Sequence, residues 1–145
     1  MRVLVINGPN LNLLGLREPA IYGRQSYADL VQFVHQSAQQ LGLTVDCFQS
    51  NHEGAIIDAI QAARNTFAGI VINAAAYTHT SIAIHDALLA VALPAVEVHL
   101  SDISKREEYR RFSYLSSVCL QCICGKGFEG YAEALQVLHK HLLKN

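Results

Sequence analysis

The sequence predicts an α/β domain built on a doubly wound parallel sheet, and three observations predict it. Short apolar and β-branched runs alternate five times with segments of helical period. The connections are short, so successive strands need right-handed helical crossovers and run parallel. A chain of 145 residues that is 51% hydrophobic and 16% charged is expected to fold as one domain, residues 1–145, and is too apolar to be disordered.

Arg2 to Ile6 is a continuous apolar run ending at Asn7-Gly8, a buried strand stopped by turn chemistry. The next regular element opens only at Ser26. Gly8 to Gln25 is therefore longer than the loops of about 12 to 15 residues at which compact domains usually stop, which marks it as a lid or binding loop. It carries Asn10, Arg17, Glu18, Tyr22 and Arg24. Ser26 and Asp29 stand at the capping-box offset, ahead of a helical face of Leu30, Val31, Val34, Ala38 and Leu41 that Gly42 closes. Leu43, Val45 and Cys47 alternate with polar neighbours as a second strand. Ser50 and Glu53 repeat the capping-box offset before Ile56, Ile57, Ile60 and Ala63.

Gly69 to Asn73 is a third strand, too apolar to be half exposed, and a loop of small and hydroxylated residues, Ala74 to Ser81, follows. The helix from Ile82 to Val91 is apolar nearly all round except His85 and Asp86. Pro94 precedes a fourth strand, Ala95 to Leu100; Ser104 with Glu107 is expected to cap a short charged helix; Val118 to Cys124 is a fifth strand and Phe128 to Leu143 the last helix. For five such units the expected arrangement is flavodoxin-like, strand order 2-1-3-4-5, with helices on both faces. Ligands in these folds bind beyond the carboxyl ends of the strands, here after Asn7, Asn73, Leu100 and Cys124.

Charge and composition remove several function classes. With 11 Lys and Arg against 12 Asp and Glu, the chain has no net field for nucleic acid or an anionic membrane. Its one basic cluster, Arg106, Arg110 and Arg111, is diluted by Glu107 and Glu108. The least charged stretch, Asn65 to Ile84, is too polar to span a bilayer, and the start of the chain lacks the apolar region of a signal peptide. A cytoplasmic protein with four reduced cysteines is expected.

The apparent motifs reduce to structure. Gly125, Gly127 and Gly130 spell G-x-G-x-x-G, but in the last β-α turn, with no room for the acidic ribose ligand about 20 residues on, so a tight turn is expected. Cys119, Cys122 and Cys124 read as core residues, because period two sends Cys119 to the face opposite the other two. No metal is expected. His35, His52, His139 and His141 read as structural or surface residues, and no Ser, Cys or Lys has the surroundings of a nucleophile.

Two segments carry chemistry. Glu97 and His99 share one side of the fourth strand, His99 at its carboxyl end; such a pair is either a structural hydrogen bond or a carboxylate fixing the tautomer and charge of a catalytic imidazole. Arg106 and Arg110, four apart, can look back at the same rim, or form a solvated charged face. In the lid, Tyr22 lies five residues after Arg17. A phenol of pKa about 10 is about 0.1% ionised at neutral pH, a handicap of roughly 4 kcal/mol for a base. One guanidinium at about 4 Å and effective dielectric about 20 supplies a term of that size. A Tyr base on the loop facing a His-Glu acid suits proton abstraction beside a carbonyl followed by loss of water.

Asn7-Gly8-Pro9-Asn10-Leu11, Arg17-Glu18-Pro19-x-x-Tyr22-Gly23, Gln49-Ser50-Asn51, Tyr77-Thr78-His79-Thr80-Ser81, Glu97-Val98-His99-x-Ser101 and Arg106-Glu107-x-x-Arg110, in this order between Arg2 and about Leu143, resemble the type II 3-dehydroquinate dehydratases. The resemblance implies cofactor-free, reversible dehydration of 3-dehydroquinate to 3-dehydroshikimate. It implies that Tyr22 removes the C2 proton, with Arg17 lowering its pKa and Arg106 assisting. Asn10 would hold a water on the enolate oxygen, and His99, oriented by Glu97, would protonate the departing C1 hydroxyl. Asn73, His79, Arg110 and the backbone of Leu100 and Ser101 would hold the substrate, and Asp86 would serve a neighbouring subunit's site. A homododecamer, a tetramer of trimers, is implied as well. One departure is Ala74-Ala75-Ala76 after Asn73, where the family usually has a glycine at or near Ala75; another is the cysteine-rich fifth strand.

Two other classes compete. A binding module for a phosphorylated ligand would want a glycine- or hydroxyl-rich first loop, whereas this one is Leu11-Asn12-Leu13-Leu14 with paired arginines. An oligomerising protein without activity would not require Arg17, Tyr22 and His99.

Overall fold

A computed structural model of the chain describes residues 1–16, 20 and 24–145. Arg17, Glu18 and Tyr22, singled out above, lie outside the described residues. Five strands form one parallel sheet: β1 Arg2–Asn7, β2 Thr44–Gln49, β3 Gly69–Asn73, β4 Ala95–His99 and β5 Gln121–Cys124, in the order β2-β1-β3-β4-β5. Four helices among the described residues connect or follow them: α1 Tyr27–Gln40, α2 Glu53–Ala63, α3 Ile82–Val91 and α4 Glu129–Lys144. The expected order and the parallel sense are both observed.

Alternation along the strands sorts the core into two layers. Val3, Val5, Val71, Val96 and Val98 meet α1 through Leu30, Val34 and Ala38 and α4 through Tyr131, Ala134, Leu135 and Leu138. Leu4, Ile6, Ile70, Ile72 and Ala95 meet α2 through Ile56 and Ile60 and α3 through Ile84, Ala87 and Leu88. Each fully buried Leu or Ile contributes roughly 1.5–3 kcal/mol, which is why the 3.6-residue stripes decide the helix positions. Glu97 and His99 share the parity of Ala95 and so lie on the α2/α3 side of the sheet.

The helix starts are partly as the sequence predicts. Ser26 and Asp29 make the reciprocal capping box of α1. Ser50 does not cap α2; its hydroxyl accepts from the His52 N–H at 3.0 Å, and His52 is the residue at the helix start. Nor does Ser104 cap a charged α-helix. Asp102 accepts from both the backbone and the hydroxyl of Ser104, and two single 3-10 turns follow, Ile103–Lys105 and Glu108–Arg110. The fifth strand begins at Gln121 rather than Val118, because Ser116–Val118 is a further 3-10 turn, with Ser113 accepting from the N–H groups of Leu115 and Ser116 just ahead of it. The glycine motif is a strand-to-helix turn, with Gly125 and Gly127 at φ +77° and +57°.

Candidate active site

The carboxyl ends of β1, β3 and β4 open into a cleft between the segment after β1 and the segments after β3 and β4, with Asn10, Asn73, Ala75, His79, His99, Arg106 and Arg110 among its lining residues. The position follows from topology: the connection after β1 leads to β2 on one side and the connection after β3 leads to β4 on the other, so the loops part between β1 and β3. The loops are held together beneath the cleft. Gly8 N–H donates to the Asn73 carbonyl at 2.8 Å, and a Cβ at Gly8 would stand 2.4 Å from the Ala74 carbonyl oxygen. Only glycine permits that approach.

His99, 5% exposed, lies 2.5 Å from Glu97 through Nε2 and Oε2. Glu97 is fully buried and accepts two more hydrogen bonds, from Ser113 Oγ at 2.7 Å and Ser116 Oγ at 2.6 Å. Burial pushes its carboxyl upward, but His99 and the two serines outweigh it and hold the carboxyl below the usual range. An ionised carboxylate so placed fixes the orientation of the imidazole and which of its nitrogens faces the cleft. The sequence places Glu97 and His99 together correctly. Ser113 and Ser116 are missed, having no local pattern that points 16 and 19 residues back.

His79 stacks on His99 with ring centroids 6.4 Å apart, and its Nδ1–H donates to the Phe112 carbonyl at 2.8 Å. Burial pulls its pKa down, aided by the charges of His99 and Arg110, so it enters the cleft as a neutral ring with Nε2 as acceptor. Arg106 and Arg110 do not share a helix face. They converge on the cleft through Glu107, whose Oε2 is 3.6 Å from Arg106 Nε and 3.3 Å from Arg110 Nε, while Arg106 also reaches Ser101 Oγ at 3.4 Å. Two guanidiniums at one rim make a site for an anionic substrate.

Three further groups position the lining. Asn10 sits at φ +69° with its N–H on Asn51 Oδ1, and Gln49 Nε2 bridges the Gly8 carbonyl, Asn12 and Asn51. Asn73 donates to the hydroxyl of Tyr131, which donates to Asn7, and its own Oδ1 accepts from the Ala75 N–H. Leu100 and Ser101 are braced from behind, since Gly125 N–H donates to the Ser101 carbonyl and Gly127 N–H to the Leu100 carbonyl. Asp86 lies outside the cleft, on the exposed side of α3 beside His85, Ile82 and Phe112.

The family model for class II dehydroquinase matches residues 1–139. The chain belongs to this family. It is 51% identical over 144 residues to a 3-dehydroquinate dehydratase of Geotalea daltonii, covering 99% of this chain and all of the relative. It is 52% identical over 141 residues to a catabolic 3-dehydroquinase of Verticillium alfalfae, covering 97% and 94% of the two chains. Among solved structures, the type II dehydroquinase of Butyrivibrio crossotus superposes with a TM-score of 0.93 at 49% identity, over 95% of this chain and 97% of that one.

Two departures from the dehydroquinase pattern acquire a structural meaning. Ala75, at or near which the resemblance leads one to expect a glycine, lies at φ +52°, a left-handed conformation that costs a residue with a Cβ roughly 1–2 kcal/mol. The cysteines of the fifth strand are not simply core residues. Cys119 precedes β5, whereas Cys122 and Cys124 lie on it in register with Glu97 and His99, and their sulfurs are 3.5 Å apart. Reading the cysteines without β4 beside them hides that convergence.

Proposed function

We propose that this chain is a 3-dehydroquinate dehydratase, a hydro-lyase that removes water from 3-dehydroquinate through an enolate without a cofactor. The observation that carries the reading is the buried Glu97–His99 pair opening onto a cleft that Arg106 and Arg110 also line. Family membership supplies the reaction, and the pair supplies the acid. In this reading Tyr22 is the base for the C2 proton and Arg17 lowers its pKa, with Arg106 assisting. Asn10 holds the water that meets the enolate oxygen, and His99 returns a proton to the departing C1 hydroxyl. Glu97 takes the Nε2–H of His99, leaving Nδ1 to carry that proton. Arg110, Asn73, His79 and the backbone of Leu100 and Ser101 hold the carboxylate and hydroxyls.

We assign residues 1–145 to one catalytic domain acting as a cytoplasmic homododecamer, with Asp86 lent to a neighbouring site. No helix among the described residues is long and apolar enough to cross a membrane. The side of α3 that carries Ile82 and Leu89, with Phe112 close to Ile82, is exposed in the single chain, as an assembling surface would be.

The test is to mix purified protein with 3-dehydroquinate and follow the ultraviolet absorbance of the conjugated product. Activity should survive borohydride added with substrate, which excludes an imine route. Tyr22→Phe should abolish turnover while substrate still binds, and Arg17→Ala should do nearly the same. Full turnover in either variant refutes the base assignment.

A further inference from the structure

We propose that His99, Cys122 and Cys124 form a binding site for a thiophilic d10 divalent ion, Zn2+ or Cd2+, and that occupancy of this site shuts the cleft down by taking the imidazole of His99. One ligand atom from each residue lies within 4.8 Å of the other two. The arrangement comes from the sheet itself. Period two puts Cys122 and Cys124 on one face of β5, and the parallel register sets them beside Glu97 and His99 on the same face of β4.

The spacing suits the ion. Zn–S bonds of about 2.3 Å and Zn–N bonds of about 2.0 Å in a tetrahedron place neighbouring ligand atoms about 3.3–3.8 Å apart. The two sulfurs already stand at 3.5 Å. The site is reachable, because β5 is the sheet's edge strand and both thiols are half-buried rather than sealed. Three protein ligands leave a fourth position for water or a substrate oxygen, the pattern of an open rather than a closed zinc site. Each thiol that binds releases its proton to solvent, and the two thiolates balance the charge of the ion. Cys47, on the opposite edge strand, and Cys119 do not belong to the cluster.

Binding and inhibition are separable. The binding claim rests on geometry alone, whereas the inhibitory claim rests on the role given to His99 under the proposed function. The experiment titrates the reduced, metal-free protein with Cd2+, following the ultraviolet thiolate-to-cadmium charge-transfer band, and separately with Zn2+, following 3-dehydroquinate turnover. Neither cysteine is placed in the catalytic machinery, so Cys122→Ser, Cys124→Ser and the double variant should turn over normally without metal. The wild type should bind one Cd2+ with a two-thiolate band and lose turnover in step with Zn2+, recovering it on addition of a chelator. Each single variant should bind more weakly by more than the roughly 10–100-fold that losing even an outer-shell partner costs. The double variant should keep its turnover in the same Zn2+.

An unchanged band and affinity in the double variant would overturn the site. Zn2+ inhibition persisting in the double variant would overturn the link between site and cleft, as would stoichiometric binding that leaves turnover intact. Failure of the metal-free protein to dehydrate 3-dehydroquinate strikes the proposed function instead, and the cadmium band still decides the site.

Discussion

Glu97 is the residue on which the cleft depends most, because it is a fully buried carboxylate whose three hydrogen-bond partners are all side chains. Its carboxyl is held below the ordinary range, so the ionised form stabilises the fold. That contribution is complete above the unfolded pKa of about 4.3 and is lost as pH falls through the lower folded value. Glu97→Gln should therefore destabilise the protein by about 1.5–3 kcal/mol at neutral pH, the worth of a hydrogen bond to a charged group. Denaturant midpoints taken from about pH 7 down to about pH 3 should show the gap to wild type narrowing in acid. A constant gap contradicts the ionised state assigned to Glu97. Ala75 makes the opposite prediction. Its φ of +52° is a strain that glycine relieves, and the relief exceeds the extra unfolded-state entropy glycine brings, so Ala75→Gly should gain up to about 1 kcal/mol. A lowered denaturant midpoint would show that the Cβ contributes packing that outweighs the strain.

At the scale of elements, the turn from β5 into α4 supports the loop after β4, since Gly125 and Gly127 donate to the carbonyls of Ser101 and Leu100. Gly125→Ala forces a Cβ to 3.2 Å from that of Asp102 at φ +77°. It should cost stability by about 1–2 kcal/mol, the left-handed penalty, and raise KM more than it lowers kcat, because the loop it braces is the one given the substrate-holding role in the proposed function. Steady-state kinetics decide this; an unchanged KM would detach the turn from the site.

The same elements show what the sequence makes legible. Strand order and helix faces were readable because Val3, Val5, Leu30 and Val34 repeat with the periods that burial imposes. The pair Glu97–His99 was readable for the same reason, as two residues on one side of a strand. The turns around Ser104 and Ser50 were not, because a bond between a side-chain oxygen and an N–H two residues on replaces the capping box: Ser50 Oγ accepts from the His52 N–H, and Asp102 Oδ1 accepts from the Ser104 N–H. Ser113 and Ser116 on Glu97, and Cys122 and Cys124 beside His99, depend on tertiary path and strand register. No single-chain period carries either. Arg17 and Tyr22 lie outside the described residues, and only their chemistry and their place in an overlong loop single them out.

For the whole molecule, α3 poses the remaining question. Its buried side, Ile84, Ala87, Leu88 and Val91, is accounted for by the sheet and α2, yet Ile82 and Leu89 stand 56% and 61% exposed, and Phe112 near Ile82 is 63% exposed. Scattered apolar residues are ordinary on a surface, but several large ones along one side of a helix are a liability unless another subunit covers them. Under the proposed function, assembly with further copies of the chain would remove the liability and bring Asp86, on the same helix, toward a neighbouring cleft. Leu89→Glu changes a side chain that the isolated subunit leaves in solvent, so it should leave the folded chain intact by circular dichroism. It should shift sedimentation to smaller species and lower turnover together. Full-sized assemblies in that variant would place the contacts on another face. Smaller assemblies with undiminished turnover would mean that each cleft is complete within one chain.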